Sequence, residues 1–279
     1  MGTVDLHTHT TASDGGHSPR ELVRMALERG LRAIAVTDHD STEGVAEAVA
    51  AAEGTDLLVI PGVEISTDVP LGEVHLLGYY LEPRSLQLQT TLTTLREARR
   101  QRAQRMVEKL AALGMPLFWD RVAAIANGGA VGRPHVARAM IEAGYVGSLE
   151  DAFSLYIGRE GPAYVDRYKL TPAEAIALVA TLGGLPVLAH PHYIKDLPSV
   201  LPELVRAGLV GIEVYYTGYA PDMVASLRDL AVRHDLVATG GSDFHGAGVA
   251  AAARLGEPEV PFAAVEALRA RRSPVERDA

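Results

Sequence analysis

The chain has 279 residues, 48% hydrophobic and 22% charged, with a formal net charge of −9 and no cysteine. That length fits one large α/β domain or one domain carrying an insertion; no apolar run approaches the ~20 residues of a membrane span and the start lacks a secretory signal, so a soluble, cytoplasmic protein is expected, with no membrane partner. The missing cysteines exclude disulfides, thiolate nucleophiles and Cys-built zinc sites, and the acidic balance argues against a non-specific binder of duplex DNA.

Strand and helix patterns alternate along the chain. "TVDLH" is a short apolar strand. "SPRELVRMALERG" reads as a helix, with Ser18 at the N-cap, Pro19 in the first turn, Glu21 completing a capping box and Gly30 as the stop. "RAIAVTDHD" is the next strand and "TEGVAEAVAAAEG" the next helix. "DLLVIPGVEIS" and "EVHLLGYYL" follow as strands. After a long interruption come the helix "TPAEAIALVATLGG" and the strand "LPVLAHP". "SVLPELVRAG" leads to the strand "VGIEVYY", and "PDMVASLRDLAVRHD" leads to "LVATGGSDFH". "PFAAVEALRARR" closes the chain as a helix. About seven strands, mostly separated by helices, predict an α/β fold whose parallel sheet closes into a barrel.

The interruption predicts helices over about 85–113, 119–127, 134–143 and 148–157 and no strand. Residues 1–82 and 162–279 are therefore expected to form the barrel, and 83–161 a helical insertion. The insertion carries eleven Lys and Arg against seven Asp and Glu, the remainder fifteen against twenty-eight. A basic insertion on an acidic barrel suggests that one part holds cations and the other meets an anion. The Arg-rich stretch "REARRQRAQR" at 96–105 fits that role or an ordinary solvated helix face.

Residues able to bind a metal fall at corresponding places. His7 and His9 follow the first strand, with Asp14 just beyond. His39 follows the second, Glu64 the third and His190 the fifth; His75 lies in or near the end of the fourth; Asp243 and His245 follow the seventh. Strand ends of a parallel barrel converge on one face, where active sites sit. Residues two apart in extended chain face the same side, so His7 with His9, and Asp243 with His245, can grip one ion together. Imidazole and carboxylate suit Zn, Fe and Mn, and nine such ligands are too many for one ion but enough for two or three. His17 and His234 read as ordinary histidines. Asp5 is expected to orient a ligand histidine; Glu213 could do the same or pack in the barrel, and is set aside.

The pieces "DLHTHTTASDG", "AVTDHDST", "PGVEIS", "VHLLGY", "AHP" and "GGSDFHG", in this order across nearly the whole chain, resemble the polymerase-and-histidinol-phosphatase (PHP) superfamily. The resemblance implies a distorted seven-stranded (β/α) barrel with a trinuclear metal centre, most often of Mn²⁺, with Fe²⁺ or Zn²⁺ as alternatives. Carried over by motif, His7, His9, Glu64 and Asp243 would hold one ion, Glu64, His75 and His190 the second, and Asp14, His39 and His245 the third. "GRPHVARAMIEAGYV" and "YIGREGPAYV" are similar to the branch containing nucleoside 3′,5′-bisphosphate phosphatases and 5′→3′ exoribonucleases, in which the insertion acts as a lid over the cup. Arg133, His135 and Arg159 are then candidate substrate contacts, with helix capping or insertion-to-barrel ion pairs as the ordinary alternative.

The activity that the resemblance implies is phosphoester hydrolysis by a metal-bridged hydroxide, on a small phosphorylated nucleotide or a short RNA. His192, in "AHPHY", is a candidate proton donor. A histidinol-phosphate or other small-molecule phosphatase differs in leaving group and lid rather than metals, and the two Arg-containing insert motifs favour the nucleotide. An amidohydrolase also begins with H-x-H, but many of those use a bridging lysine. Lys109, Lys169 and Lys195, the only lysines, fall at no suitable strand end. A catalytically silent metal-binding module would be marked by lost ligands, and none of the nine is lost.

Overall fold

A computed structural model describes residues 3–69, 72–246 and 253–272. Among these residues eight strands form one sheet: β1 (Thr3–Thr8), β2 (Ala33–Val36), β3 (Leu58–Val69), β4 (Gly72–Tyr79), β5 (Leu185–Leu188), β6 (Gly211–Tyr216), β7 (Val237–Gly241) and β8 (Val260–Pro261). Their order is β7-β6-β5-β4-β3-β2-β1-β8. All seven expected strands are present, and the two-residue β8 adds an antiparallel edge to β1.

The sheet is not wholly parallel, which corrects the sequence reading. β4 is antiparallel to both of its neighbours. The cause is local: β3 and β4 form one hairpin, paired from Gly62↔Tyr79 to Val69↔Gly72, and a chain that returns at once beside itself must run antiparallel. Consequently the N-terminal part of β4, with His75 opposite Ser66, lies beside the C-terminal part of β3. The sheet curls until β7 meets β1. Thr8 bridges Phe244 in parallel fashion, and His9 N–H donates to the Phe244 carbonyl at 2.9 Å. Gly241 permits that approach, since a Cβ there would sit 2.5 Å from His7 Cβ. The result is a nearly closed barrel.

Helices cover the outside. α1 (Pro19–Glu28) starts with the Ser18–Glu21 capping box and Pro19 that the spacing predicts. α2 (Val45–Ala52) follows β2. Between β4 and β5 run α3 (Leu86–Ala112), α4 (Trp119–Ala126), α5 (Arg133–Glu142) and α6 (Leu149–Ala152), the last continuing as one π-helical turn, Phe153–Ile157. Then come α7 (Pro172–Thr181), a 3₁₀ turn at Pro191–Tyr193, α8 (Leu197–Arg206), α9 (Pro221–Arg233) and α10 (Ala263–Arg271). Among the described residues no helix is long and apolar enough to cross a membrane.

The segment between β4 and β5 has its own apolar cluster, built on Met106, Leu110, Val122, Val136, Met140 and Ile157. α3 belongs to two cores. Leu88, Leu92 and Leu95 in its first half pack with the barrel residues Ile65, Leu76, Ile176 and Ile212, while Ala103, Met106 and Leu110 in its second half pack in the other cluster. It contains neither Gly nor Pro, and at ~1.5 Å per residue it is about 40 Å long.

Inside the barrel, Tyr79 is fully buried and its hydroxyl donates to the Leu6 carbonyl at 2.7 Å. Tyr79→Phe leaves that acceptor one bond short and should destabilise the fold by about 1 kcal/mol. Urea unfolding should show a lower midpoint at unchanged slope; an unshifted midpoint would remove this bond as a determinant of the barrel.

Candidate metal centre

The nine ligand-type residues come together at one end of the barrel. Glu64 is their hub. Its Oε2 lies 3.3 Å from His7 Nε2, 3.2 Å from His9 Nε2 and 3.0 Å from His39 Nδ1. Its Oε1 lies 2.7 Å from His75 Nδ1 and 3.1 Å from His190 Nε2. Asp243 Oδ1 stands 3.3 Å from His7 Nε2 and 3.1 Å from His9 Nε2. Asp14 Oδ1 lies 3.3 Å from His245 Nε2, and Asp14 Oδ2 3.9 Å from His39 Nε2. Three sets converge closely enough to share an ion: His7, His9, Glu64 and Asp243; His39, Glu64 and His75; and His9, Asp14, His39 and His245. His9 and His39 each fall in two sets. His7 and Glu64 lie within β1 and β3 rather than after them, because the β3–β4 hairpin prolongs β3 past the point where β2 stops.

Local structure explains how each ligand is aimed. Backbone pairing continues beyond β2, with Glu64 N–H donating to Asp38 O at 3.1 Å and Asp40 N–H to Glu64 O at 2.9 Å, which sets His39 beside Glu64. The buried Asp38 carboxylate accepts from Thr10 N–H and Oγ1 and from Ser13 Oγ at 2.6–2.7 Å, and so shapes the loop carrying His9 and Asp14. His190 and Asp243 have φ of +26° and +55°, a region that non-glycine residues occupy at a cost of about 1–3 kcal/mol each. His245 Nδ1 lies 2.9 Å from the Asp243 carbonyl, which leaves Nε2 for Asp14 or an ion.

Glu213, set aside in the sequence, supports the cluster from below. Fully buried, it reaches His7 Nδ1 at 3.1 Å with Oε1 and accepts from His190 N–H at 2.6 Å with Oε2. That contact fixes the His7 ring so that Nε2 faces the cluster. Its signal was a lone carboxylate inside the apolar strand "GIEVYY". The role expected of Asp5 is corrected: its oxygens accept from Ser242 N–H and Oγ, Gly256 N–H and His7 N–H. It anchors backbone around the ligands and orients no imidazole. His17 stacks on Phe244 and His234 ends α9, both outside the cluster.

The electrostatics suit a cation. Burial alone would lower His9, but Asp243 and Glu64 hold it up at about 10. His39 goes the other way, to about 3, because burial outweighs Glu64 and Asp14. Burial opposes the charge on Glu64, Asp14 and Asp243, yet the surrounding imidazoles keep all three well below the carboxylate range. His7 Nε2, both His9 ring nitrogens, Asp14 Oδ1 and His39 Nδ1 are buried without a hydrogen bond of ordinary geometry. Buried polar atoms are normally satisfied; here they share one focus, and the donor set is the imidazole–carboxylate mixture of Mn, Fe and Zn sites.

Above the cluster lies a cavity of about 490 Å³, bounded by ligand residues and by Arg133, Phe153, Arg159, Tyr164 and Tyr193. Arg133 also stands 5.4 Å over the Phe153 ring. His135 does not line the cavity. It is buried, and its Nδ1 accepts from Gly132 N–H at 2.9 Å, capping α5. His192 sits outside the lining in the exposed turn after β5, with Nδ1 2.8 Å from the Tyr219 hydroxyl and its ring 6.4 Å from that of His190. Tyr216 donates to Asp243 Oδ2 at 2.9 Å, its own proton held firmly by burial and the Asp243 charge. No sequence signal separated these tyrosines from other aromatics.

The PHP domain model matches residues 5–93. Over most of its length the chain is similar to the 5'-3' exoribonuclease Rnm of Escherichia coli, 36% identical over 247 residues, 86% of this chain and 84% of that protein. It is 33% identical over 253 residues to the 3',5'-nucleoside bisphosphate phosphatase of Chromobacterium violaceum, covering 89% of each. A solved structure from Bifidobacterium adolescentis, assigned to the metal-dependent phosphoesterases, superposes with a TM-score of 0.89 at 33% identity over 98% of both chains.

A ligand imidazole must be neutral, whereas His9 keeps its proton up to about pH 10 when no ion is bound. Binding of a divalent ion to chelator-treated protein should therefore release protons, and its apparent affinity should rise with pH, about tenfold per unit for one proton, across pH 6–9. A flat profile by calorimetry would show that His9 is already neutral in the ion-free cluster. Glu213→Gln should weaken divalent-ion affinity roughly 10–100-fold with the fold retained; unchanged affinity by competition with a chelating dye would make Glu213 a packing residue only.

Proposed function

The chain belongs to the PHP domain family, and on that premise we propose that it is a metal-dependent phosphoesterase acting on nucleoside 3′,5′-bisphosphates, on 5′-phosphorylated short oligoribonucleotides, or on both. The observation that carries this reading is Glu64, within 3.3 Å of five imidazoles, under a cavity that also holds Arg133 and Arg159. Its likeness to an exoribonuclease and to a bisphosphate phosphatase supports the substrate class.

His7, His9, Glu64 and Asp243 would hold one ion, Glu64, His75 and His190 a second, and Asp14, His39 and His245 a third, with Mn²⁺ proposed and Fe²⁺ or Zn²⁺ compatible with the same donors. Divalent ions held there would supply Lewis acidity toward the phosphoryl group and lower the pKa of water to about 7. The chain's own residues do the rest. Glu64 draws the ligand sets together, Glu213 and Tyr216 hold His7 and Asp243 in register, and the walls of the cavity orient the ester. Arg133 offers a planar guanidinium for bidentate contact with a second phosphate. His192, held at Nδ1 by Tyr219, has Nε2 as the atom that would pass a proton to the leaving group.

Protein loaded with Mn²⁺ should release phosphate from 3′-phosphoadenosine 5′-phosphate and trim a 5′-phosphorylated tetraribonucleotide stepwise from its 5′ end. Phosphate release with the RNA intact would restrict it to bisphosphates. Inertness to both, with turnover of histidinol phosphate, would move it to the small-molecule phosphatases. Arg133→Ala should raise KM for the bisphosphate about tenfold, the loss of one charge-assisted contact, and alter KM for p-nitrophenyl phosphate much less. Equal effects on both would end the second-phosphate role.

A further inference from the structure

Three carboxylates serve the ligand sets, and Asp243 differs from the other two in the use of its oxygens. Both oxygens of Glu64 face imidazoles, Oε2 those of His7, His9 and His39, and Oε1 those of His75 and His190. Both oxygens of Asp14 do so as well, Oδ1 toward His245 and Oδ2 toward His39. Asp243 presents Oδ1 to His7, His9 and His245, at 3.3, 3.1 and 3.5 Å. Its Oδ2 accepts from the Tyr216 hydroxyl at 2.9 Å, and Tyr216 is a member of none of the three sets.

Two independent constraints aim that hydroxyl. Tyr216 is the last residue of β6 and pairs with Gly241 of β7, two residues before Asp243, so strand register sets the distance between the two side chains. Its ring packs against those of His192 and Tyr219, at centroid distances of 5.4 and 5.1 Å, and meets His190 edge-on at 5.8 Å. To chelate one ion with both oxygens, the Asp243 carboxylate would have to turn Oδ2 away from Tyr216. The half-buried hydroxyl would then lose its acceptor, a loss that polar groups away from water rarely sustain.

The number of oxygens decides which ion is suited. With one ligand atom from each residue, the set of His7, His9, Glu64 and Asp243 offers two nitrogens and two oxygens. A small set containing nitrogen suits Mn²⁺, Fe²⁺ and Zn²⁺, whereas Ca²⁺ takes about six to eight oxygens, often through both oxygens of one carboxylate. We propose that Tyr216 is a positioning residue for metal selectivity: by keeping Oδ2, it makes Asp243 a one-oxygen ligand and biases this set against large, oxygen-seeking cations such as Ca²⁺. The inference rests on reading the cluster as a metal centre and is independent of the substrate.

The test titrates chelator-treated protein with Mn²⁺ and with Ca²⁺ against a chelating dye. The ratio of the two dissociation constants for the first equivalent is compared between the native chain, Tyr216→Phe, Asp243→Asn and the double variant. The native chain should bind Mn²⁺ more tightly than Ca²⁺ by about tenfold or more. Tyr216→Phe keeps the ring and removes the hydroxyl; it should bind Ca²⁺ more tightly and lower the ratio about tenfold. In the Asp243→Asn background, where the side chain carries a single oxygen, adding Tyr216→Phe should leave the ratio unchanged. A native ratio near one overturns the proposal and needs no variant to fold. An unchanged ratio in Tyr216→Phe with native circular dichroism, including equal weakening of both ions, also overturns it, as the mark of a merely structural role. A fall that persists in the Asp243→Asn background overturns it too, because the effect then does not pass through Asp243. Failure of the native chain to bind either ion overturns the metal-centre reading itself, and this proposal with it.

Discussion

A carboxylate buried to 1% exposure among five imidazoles dictates the design of this barrel. Glu64 can stay ionised there only because positive charge surrounds it, and the surrounding residues come from β1, β4 and the ends of β2 and β5. Their arrangement requires the strands in register: the β3–β4 hairpin sets His75, the backbone bridge between residues 39 and 64 sets His39, and the approach of β7 at Gly241 sets His7. The apolar cores hold the strands; the strands hold the imidazoles around one carboxylate.

Much of this was legible in the chain. H-x-H after an apolar strand, D-x-H after another, and single ligands at corresponding places announced one convergent cup, and all nine residues lie in it. The capping signals of α1 and the four insertion helices were equally local and equally visible. The direction of β4 was not, because side-chain alternation is the same in a strand of either direction. Nor was the division of labour within "REARRQRAQR". Arg99 and Arg102 are buried and Arg100 and Arg105 exposed, and what separates them is which face of α3 lies against Asp40, 59 residues away from Arg99. Glu213 and Asp5 exchanged roles for a similar reason: both are acids in apolar strands, and only the closed barrel decides which of them meets an imidazole.

The site joins two kinds of positive charge management. The barrel concentrates imidazole and carboxylate donors, which favour a bound cation. The arginines opposite them, on α3, α5 and the segment before α7, favour an anion. His39 and His75 lie on the boundary and face both. A phosphoester with two anionic groups, the substrate class proposed above, would satisfy both halves at once, with binding energy at the group that does not react available to position the one that does.

α3 ties these halves together mechanically. It is one uninterrupted rod rooted in both hydrophobic cores, with no glycine or proline along it. Any shift of the segment above the cup is then felt through α3 in the same packing that holds the metal-binding strands in place.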